Sequence, residues 1–440
     1  MSDRPIRVDP SGRYLQRADG SPFFYLGDTA WELLHRCTLA ETEAYLRDRA
    51  AKGFTVVQTV LLAEIDGLRT VNAQGDLPFE DADLEIPNER YFGHVDVVFD
   101  LAEALGLTIG LLPTWGDKWN LKWGIGPEVL TPAHTRRFGE FVGRRYADRD
   151  VIWILGGDRP IEKPEHLEII RALADGVRRG DHGRNLMTAH VWGQHSTSEY
   201  FLGEDWLEFN TVQSGHGRNF ANWRMIEGDH ARSPTKPCMD MEPAYEEAVN
   251  SIGDLGGGFI DAYEVRKGLY WSLFAGAHGH TYGCWPVWQM WDHGREPRMW
   301  VTRPWREALQ APGSSQVRHA KDLLLSRPYF DRRPDQSLIA GDPGAGAYHV
   351  SATRDARGTY AMVFVPSGSP VELDLRSLSE GELVAWWFDP RTGASQLLGR
   401  CERAPRVTFV PPAGGPDWVL VVDSALEGYG RPGAPTAAGS

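Results

Sequence analysis

The chain lacks any apolar run of transmembrane length, and its N-terminus, Met-Ser-Asp-Arg-Pro-Ile-Arg, lacks the apolar core of a secretory leader. A helical membrane span is excluded on the first count, and a cytoplasmic location is expected on the second. Cysteine is scarce: Cys37, Cys238, Cys284 and Cys401 are widely spaced, with no CxxC pair. That argues against a disulfide framework and for free thiols in a reducing compartment. Positive charge is short as well. With 46 Lys and Arg against 60 Asp and Glu, the net charge is −14, so neither nucleic acid nor an anionic membrane surface is an expected partner. No GxSxG elbow, phosphate loop or HExxH is present, and no cofactor is expected. The oligomeric state is left open.

Tryptophan is abundant instead, with 17 residues. Indole faces stack on sugar rings, which hints at a carbohydrate, although tryptophan also serves as plain core. The 440 residues suit a barrel with a small appendage.

The segment Val151-Ile-Trp-Ile-Leu-Gly-Gly-Asp158 reads as a buried parallel strand ending in a sharp turn and a carboxylate. Asp158 is a working acid at a barrel rim in one reading and a helix cap in the other. Apolar runs starting near residues 23, 54, 107, 151, 186, 209, 237 and 278 each precede a helical pattern. Eight such alternations predict a parallel sheet closed into a (β/α)8 barrel over 23–329. A doubly wound open sheet competes, but it would show a Gly-rich dinucleotide turn after its first strand, and none is there. Residues 1–22 read as a hairpin lid, and the polar stretch 63–90 as a functional loop over the rim. His278–Trp288 is expected to be one strand, followed by a helix around Trp305–Ser326. Over 330–425 short alternating runs predict a small all-β sandwich. The Gly/Pro/Ala-rich tail, 426–440, is expected to be disordered.

Counting strands puts Asp158 at the end of the fourth and Glu242 at the end of the seventh, before Pro243. Those strands face each other across a barrel mouth. Two opposed carboxyls there suit glycoside hydrolysis, with rim salt bridges as the bland reading. Asp240 shares a face with Glu242, as an orienting group or a buried hydrogen-bonded acid. Asp28, ending strand one, is a candidate for holding substrate hydroxyls or a helix cap. His190, Gln213 and His216, at the ends of strands five and six, are candidates for binding a sugar or the carboxylate. Trp31 follows strand one, Trp285 would floor a sugar site, and Trp115, Trp119 and Trp123 would wall it. His278-x-His280 places two imidazoles on one side of a strand, but no third ligand stands at a metal-binding spacing, and no metal is expected.

The segments Phe24-Tyr-Leu-Gly-Asp28-Thr-Ala-Trp31, Trp153-Ile-Leu-Gly-Gly-Asp158, Asp240-Met-Glu242-Pro243 and Tyr282-Gly-Cys-Trp285 together resemble the apiosidase-like glycoside hydrolases. In that family the catalytic barrel is followed by a collagen-binding-type β module. The resemblance covers roughly residues 8–425. It implies a retaining mechanism with Asp158 as acid/base and Glu242 as nucleophile, acting on a glycoside or oligosaccharide such as a β-apioside. Most of the wider clan carries Asn-Glu at the strand-four position, where this chain has Gly-Asp. Other furanosides or pyranosides remain open as substrates, as does a non-catalytic carbohydrate-binding role on the same scaffold.

Overall fold

The computed structural model describes residues 5–80, 84–250 and 257–434. Eight strands form the centre: β1 (Tyr25–Thr29), β2 (Val56–Leu62), β3 (Thr108–Thr114), β4 (Val151–Gly156), β5 (Met187–His190), β6 (Asn210–Gln213), β7 (Cys238–Asp240) and β8 (Gly279–Tyr282). They are parallel, in the order β5-β4-β3-β2-β1-β8-β7-β6. Every residue in them is buried, as expected where helices cover one face and packed side chains the other. Helices such as Leu39–Ala51, Pro132–Arg145 and Pro164–Asp181 connect them.

The sheet curls until β5 and β6 lie side by side. Glu208 N–H donates to Met187 O at 2.9 Å, and the Thr188 and Thr211 hydroxyls donate to Phe209 O and Ala189 O at 2.7 and 2.5 Å. No regular ladder joins this pair. The short strand His195–Ser196 pairs antiparallel with β6 at its free edge. Count, direction and order are those expected from the eight repeats. The continuous ladder of a closed barrel is replaced here by a seam of one backbone bond and two hydroxyl bonds.

Beyond β8 the chain departs from expectation. The strand stops at Tyr282, and Trp285–Trp288 is a helical turn with Pro286 in its first positions. Proline has its φ preset for a helix start and no N–H for a ladder. The single helix expected over 305–326 is three pieces, Trp305–Ala308, Pro312–Gln316 and Arg318–Leu325.

The N-terminal hairpin pairs Ile6–Val8 with Leu15–Arg17. It packs at the opposite end of the sheet from the β4 and β7 termini, so it is no lid over the site. Tyr14 meets Tyr329 at 4.8 Å, and the Tyr329 hydroxyl bonds His278 O at the start of β8. Arg13 bonds His230 O, eight residues before β7.

The C-terminal part adds β9 (Arg332–Pro334), β10 (Ser351–Asp355), β11 (Tyr360–Val365), β12 (Val371–Leu373), β13 (Leu383–Phe388), β14 (Ser395–Cys401), β15 (Val407–Phe409) and β16 (Trp418–Ser424). Six form an antiparallel sheet in the order β9-β10-β11-β16-β13-β14, and β12 pairs with β15. Alternation divides the large sheet's side chains between two cores. Tyr360, Met362, Phe364, Phe388, Val419 and Val421 join the core of the catalytic part, while Ala361, Val363, Trp387, Leu420 and Val422 face the small sheet. Buried bidentate pairs cross the junction, Arg266 with Asp417 (2.7 and 2.9 Å) and Arg327 with Asp423 (2.9 and 2.7 Å).

The segment after β16, expected to be disordered, is ordered through Ala434. Ala425–Glu427 forms a 3-10 turn, Gly430 O accepts from Arg327 at 3.0 Å, and Gly433 N–H bonds Ser326 Oγ at 3.1 Å. Tertiary partners, one donor and one acceptor, overrode a composition that carries few of its own contacts. Residues 435–440 of that expectation lie outside the described residues.

Candidate active site

The C-terminal ends of the parallel strands surround a cavity of about 570 Å³, lined by residues that include Trp31, Trp115, Asp158, Gln213, Glu242 and Trp285. A volume of this order suits a small-molecule site. Asp158 follows β4 by two residues, and Glu242 follows β7 by two.

Two glycines place Asp158. Gly156 and Gly157 have φ of +95° and +107°. A Cβ on Gly156 would stand 2.4 Å from His190 O, and one on Gly157 would stand 2.9 Å from Gly116 N. The backbone therefore turns between β5 and the loop after β3 at a distance only glycine allows. The turn leaves Asp158 itself at φ +32°, with 24% of its side chain still exposed to the cavity.

His190 links the backbone of Asp158 to the Glu242 carboxyl. Asp158 N–H donates to His190 Nδ1 at 3.2 Å, so the neutral ring carries its proton on Nε2. That atom lies 2.8 Å from Glu242 Oε2. The approach is close but off-line, since neither atom completes a well-directed hydrogen bond. On the other side His216 Nε2 is 3.3 Å from Glu242 Oε1, and His216 Nδ1 is 3.1 Å from Pro243 O.

These surroundings drive the two acids apart. Burial, then the nearby Glu242 charge, pushes Asp158 from 3.8 up to about 7, against Arg159 and His190. Burial also acts to raise Glu242, but His190 and His216 outweigh it and hold the carboxyl down at about 2. At neutral pH the cavity holds one carboxylate and one carboxyl that still retains much of its proton. Such a pair is the equipment of general acid catalysis beside a charged nucleophile.

Trp31, Trp115, Trp123 and Trp285 line the cavity, while Trp119, expected beside them, does not. Trp31 packs on Trp115 at 5.1 Å and edge-on to His190 at 5.7 Å. Trp285 lies edge-on to His216 at 5.4 Å, its indole N–H bonded to Trp300 O at 2.8 Å. Trp123, half exposed, donates from Nε1 to Asp158 Oδ2 at 3.2 Å. Trp119 is buried against His166 at 5.1 Å, behind the wall. Trp115 Nε1 and Gln213 Oε1 are buried and without a partner, a donor and an acceptor available to a hydroxylated ligand.

Asp28 does not join them. Its side chain is fully buried and points to the helix Leu39–Ala51, where Oδ2 accepts from Tyr45 at 2.5 Å and Arg49 at 2.6 Å. It is the buried half of a strand–helix ion pair and takes no place in the cavity wall. Asp240 likewise lies below the cavity, accepting from the Ser214 hydroxyl at 2.6 Å and Asn222 at 3.0 Å. Among the described residues no three His, Cys, Asp or Glu side chains converge to hold a metal. His280 bonds Ser272 at 2.8 Å, and His278 sits edge-on between Tyr25 and Phe209. Sequence reasoning missed Glu64, Arg298, Tyr245, Trp288 and Phe220, all in the cavity wall. The only signal for Glu64 was its place in the long polar stretch after β2.

A parallel α/β sheet presenting an acid and a carboxylate at its C-terminal rim has the layout of a glycoside hydrolase. A solved structure titled "Glycoside hydrolase" is 31% identical, with 98% of this chain and 100% of that chain aligned at a TM-score of 0.89. A glycoside hydrolase family 5 structure from Bacteroides vulgatus is 30% identical, aligned over 97% of this chain and 94% of that one, also at 0.89. A more distant structure from that organism, titled "putative glycoside hydrolase", is 15% identical at 0.68 and shares the fold. Residues 9–331 match the family described as "Apiosidase-like, catalytic domain", and the chain belongs to that family. Residues 333–423 match "Putative collagen-binding domain of a collagenase". No curated protein matches. Among the described residues no helix is long and apolar enough to cross a membrane.

Proposed function

We propose that this glycosidase is a retaining, exo-acting enzyme on a small glycoside, a furanoside such as a β-apioside, with Asp158 as acid/base and Glu242 as nucleophile. What carries the reading is that Asp158 and Glu242 face one aromatic-walled cavity in opposite electrostatic settings, the first held up by burial and the Glu242 charge, the second held down by His190 and His216. Glu242 attacks the anomeric carbon as the glycosidic C–O bond breaks, and Asp158 gives its proton to the departing oxygen. Water then transfers a proton to Asp158, its oxygen takes the anomeric carbon, and Glu242 leaves as carboxylate. Trp31, Trp115 and Trp285 pack against the sugar, and Gln213 accepts from a hydroxyl. His190 and His216 hold Glu242 charged. The cavity's modest volume favours a short glycone over a long chain, which supports exo action.

The test is turnover of a panel of aryl furanosides and pyranosides, an apioside among them, with the product anomer read by NMR. Retention is expected. Asp158→Gly with added azide should then yield a glycosyl azide of retained configuration, and Glu242→Gly the inverted one. Inversion by the wild-type enzyme, or full activity in Asp158→Asn and Glu242→Gln, sinks the assignment. Binding of the same sugars without turnover would instead favour the non-catalytic role.

A further inference from the structure

Asp158 adopts a backbone conformation that L residues rarely hold, so neighbouring groups must maintain it. Arg159 is the largest of these, and its side chain is completely buried. Its guanidinium is divided between two carboxyls. Nη1 donates to Asp158 O at 2.6 Å and lies 3.4 Å from Asp158 Oδ2, while Nη2 donates to Glu64 Oε1 at 2.9 Å. The ring of Trp123 covers the same guanidinium at 5.1 Å. Glu64, two residues past β2, is itself placed by its neighbour, since Ile65 N–H donates to the buried Glu32 at 3.1 Å.

We propose that Glu64 and Arg159 are a positioning pair for the acid/base: Arg159 pins the strained Asp158 backbone, and Glu64 draws the guanidinium charge away from the Asp158 carboxyl so that it keeps its proton. This rests on the reading of Asp158 as acid/base. Besides burial, the ionisable groups that face Asp158 are Glu242 and Glu64, which favour its protonated form, and Arg159 and His190, which oppose it. Burial acts first on Glu64 and raises its titration, as Asp117 does, while Arg159 and Arg298 favour its charge. With Glu64 made neutral, Asp158 becomes the sole carboxylate bonded to Arg159. An uncompensated cation at this range lowers a carboxyl's titration by about one pH unit or more.

Glu64→Gln keeps an acceptor for Arg159 and removes only the charge. The expected result is an alkaline limb of kcat displaced down by about one pH unit, with kcat at pH 7 reduced several-fold and KM little changed. Direct titration of the Asp158 carboxyl by 13C NMR should move by the same amount. Adding Arg159→Met to Glu64→Gln should move the limb back up, and Glu64→Asp should restore it in part. Should Glu64→Gln fail to fold, Glu64→Asp carries the test through its smaller displacement. An unmoved limb in the folded variant, with kcat lowered equally at every pH, overturns the proposal. The reading of Asp158 fails separately, by full activity in Asp158→Asn.

Discussion

Replacing Asp158 with asparagine removes a charge that the folded chain holds at a cost, and the cost depends on pH. An unfolded aspartate titrates near 3.8, while the folded Asp158 titrates near 7. Below pH 3.8 both states are protonated and the side chain contributes nothing against folding. Between the two values the unfolded chain releases a proton that the folded chain keeps, so stability falls as pH rises. Above 7 the penalty is complete. Each pH unit of separation corresponds to about 1.36 kcal/mol, giving an upper bound of about 4 kcal/mol. A quarter of the side chain stays exposed at the cavity, and water there reduces the figure to about 2 kcal/mol. With an unfolding entropy of roughly 2.1 cal/mol/K per residue, that is about 2 °C in Tm for a chain of this length. The assay is calorimetry of wild type and Asp158→Asn at pH 4 and pH 8.5, comparing the difference between the two proteins at each pH. Contributions of the amide that do not depend on pH cancel. The variant should gain about 2 °C relative to wild type on going to pH 8.5. A difference that is flat with pH, or that moves the other way, refutes the account of how the cavity holds its proton.

Activity itself should fall as pH rises through about 7, where Asp158 loses its proton, and persist on acidification toward the low value of Glu242 until the fold gives way; a pH–rate profile checks both limbs. His216→Gln removes one of the two partners that offset Glu242's burial, so the acid limb should rise by about one pH unit, read from kcat/KM against pH. Gly156→Ala puts a methyl 2.4 Å from His190 O at a positive φ and should cost about 3 kcal/mol or more with loss of turnover, measured by urea unfolding and assay. Asp417→Asn leaves Arg266 charged and buried at the junction and should cost about 3–5 kcal/mol, seen as a drop in the midpoint of a single unfolding transition.

Much of the architecture was legible because it rests on local chemistry. Continuous apolar runs mark strands buried on both faces, and the Gly-Gly-Asp and Asp-Met-Glu-Pro endings mark where two of them stop. What the residues do not carry is tertiary direction. Asp28 ends an apolar run just as Asp158 does, yet its strand continues to Thr29 and its side chain turns outward to Arg49, 21 residues further along. The hairpin at residues 6–17 has the pattern of a lid, but nothing local says which end of the sheet it covers. Glu64 and Arg298 sit in irregular segments where no periodicity announces a role. Trp285 lines the cavity from a different element than the strand expected, because Pro286 had turned a strand into a helical start. The tail gave no hint of its partners, which are Ser326 and Arg327, over a hundred residues earlier.

The last strand of the chain, β16, lies inside its sheet between β11 and β13, and Val419 and Val421 on it pack into the catalytic core. On a ribosome the residues that build the cavity emerge first, and the strand that covers their flank emerges last. At about 5–20 residues per second the ninety or so residues after β9 take roughly 5–20 s to appear. Until Phe364 on β11 arrives to cover it at 5.0 Å, the face around Tyr270 is open to water. The order of synthesis thus leaves this flank uncovered for a period of seconds while the chain is being made.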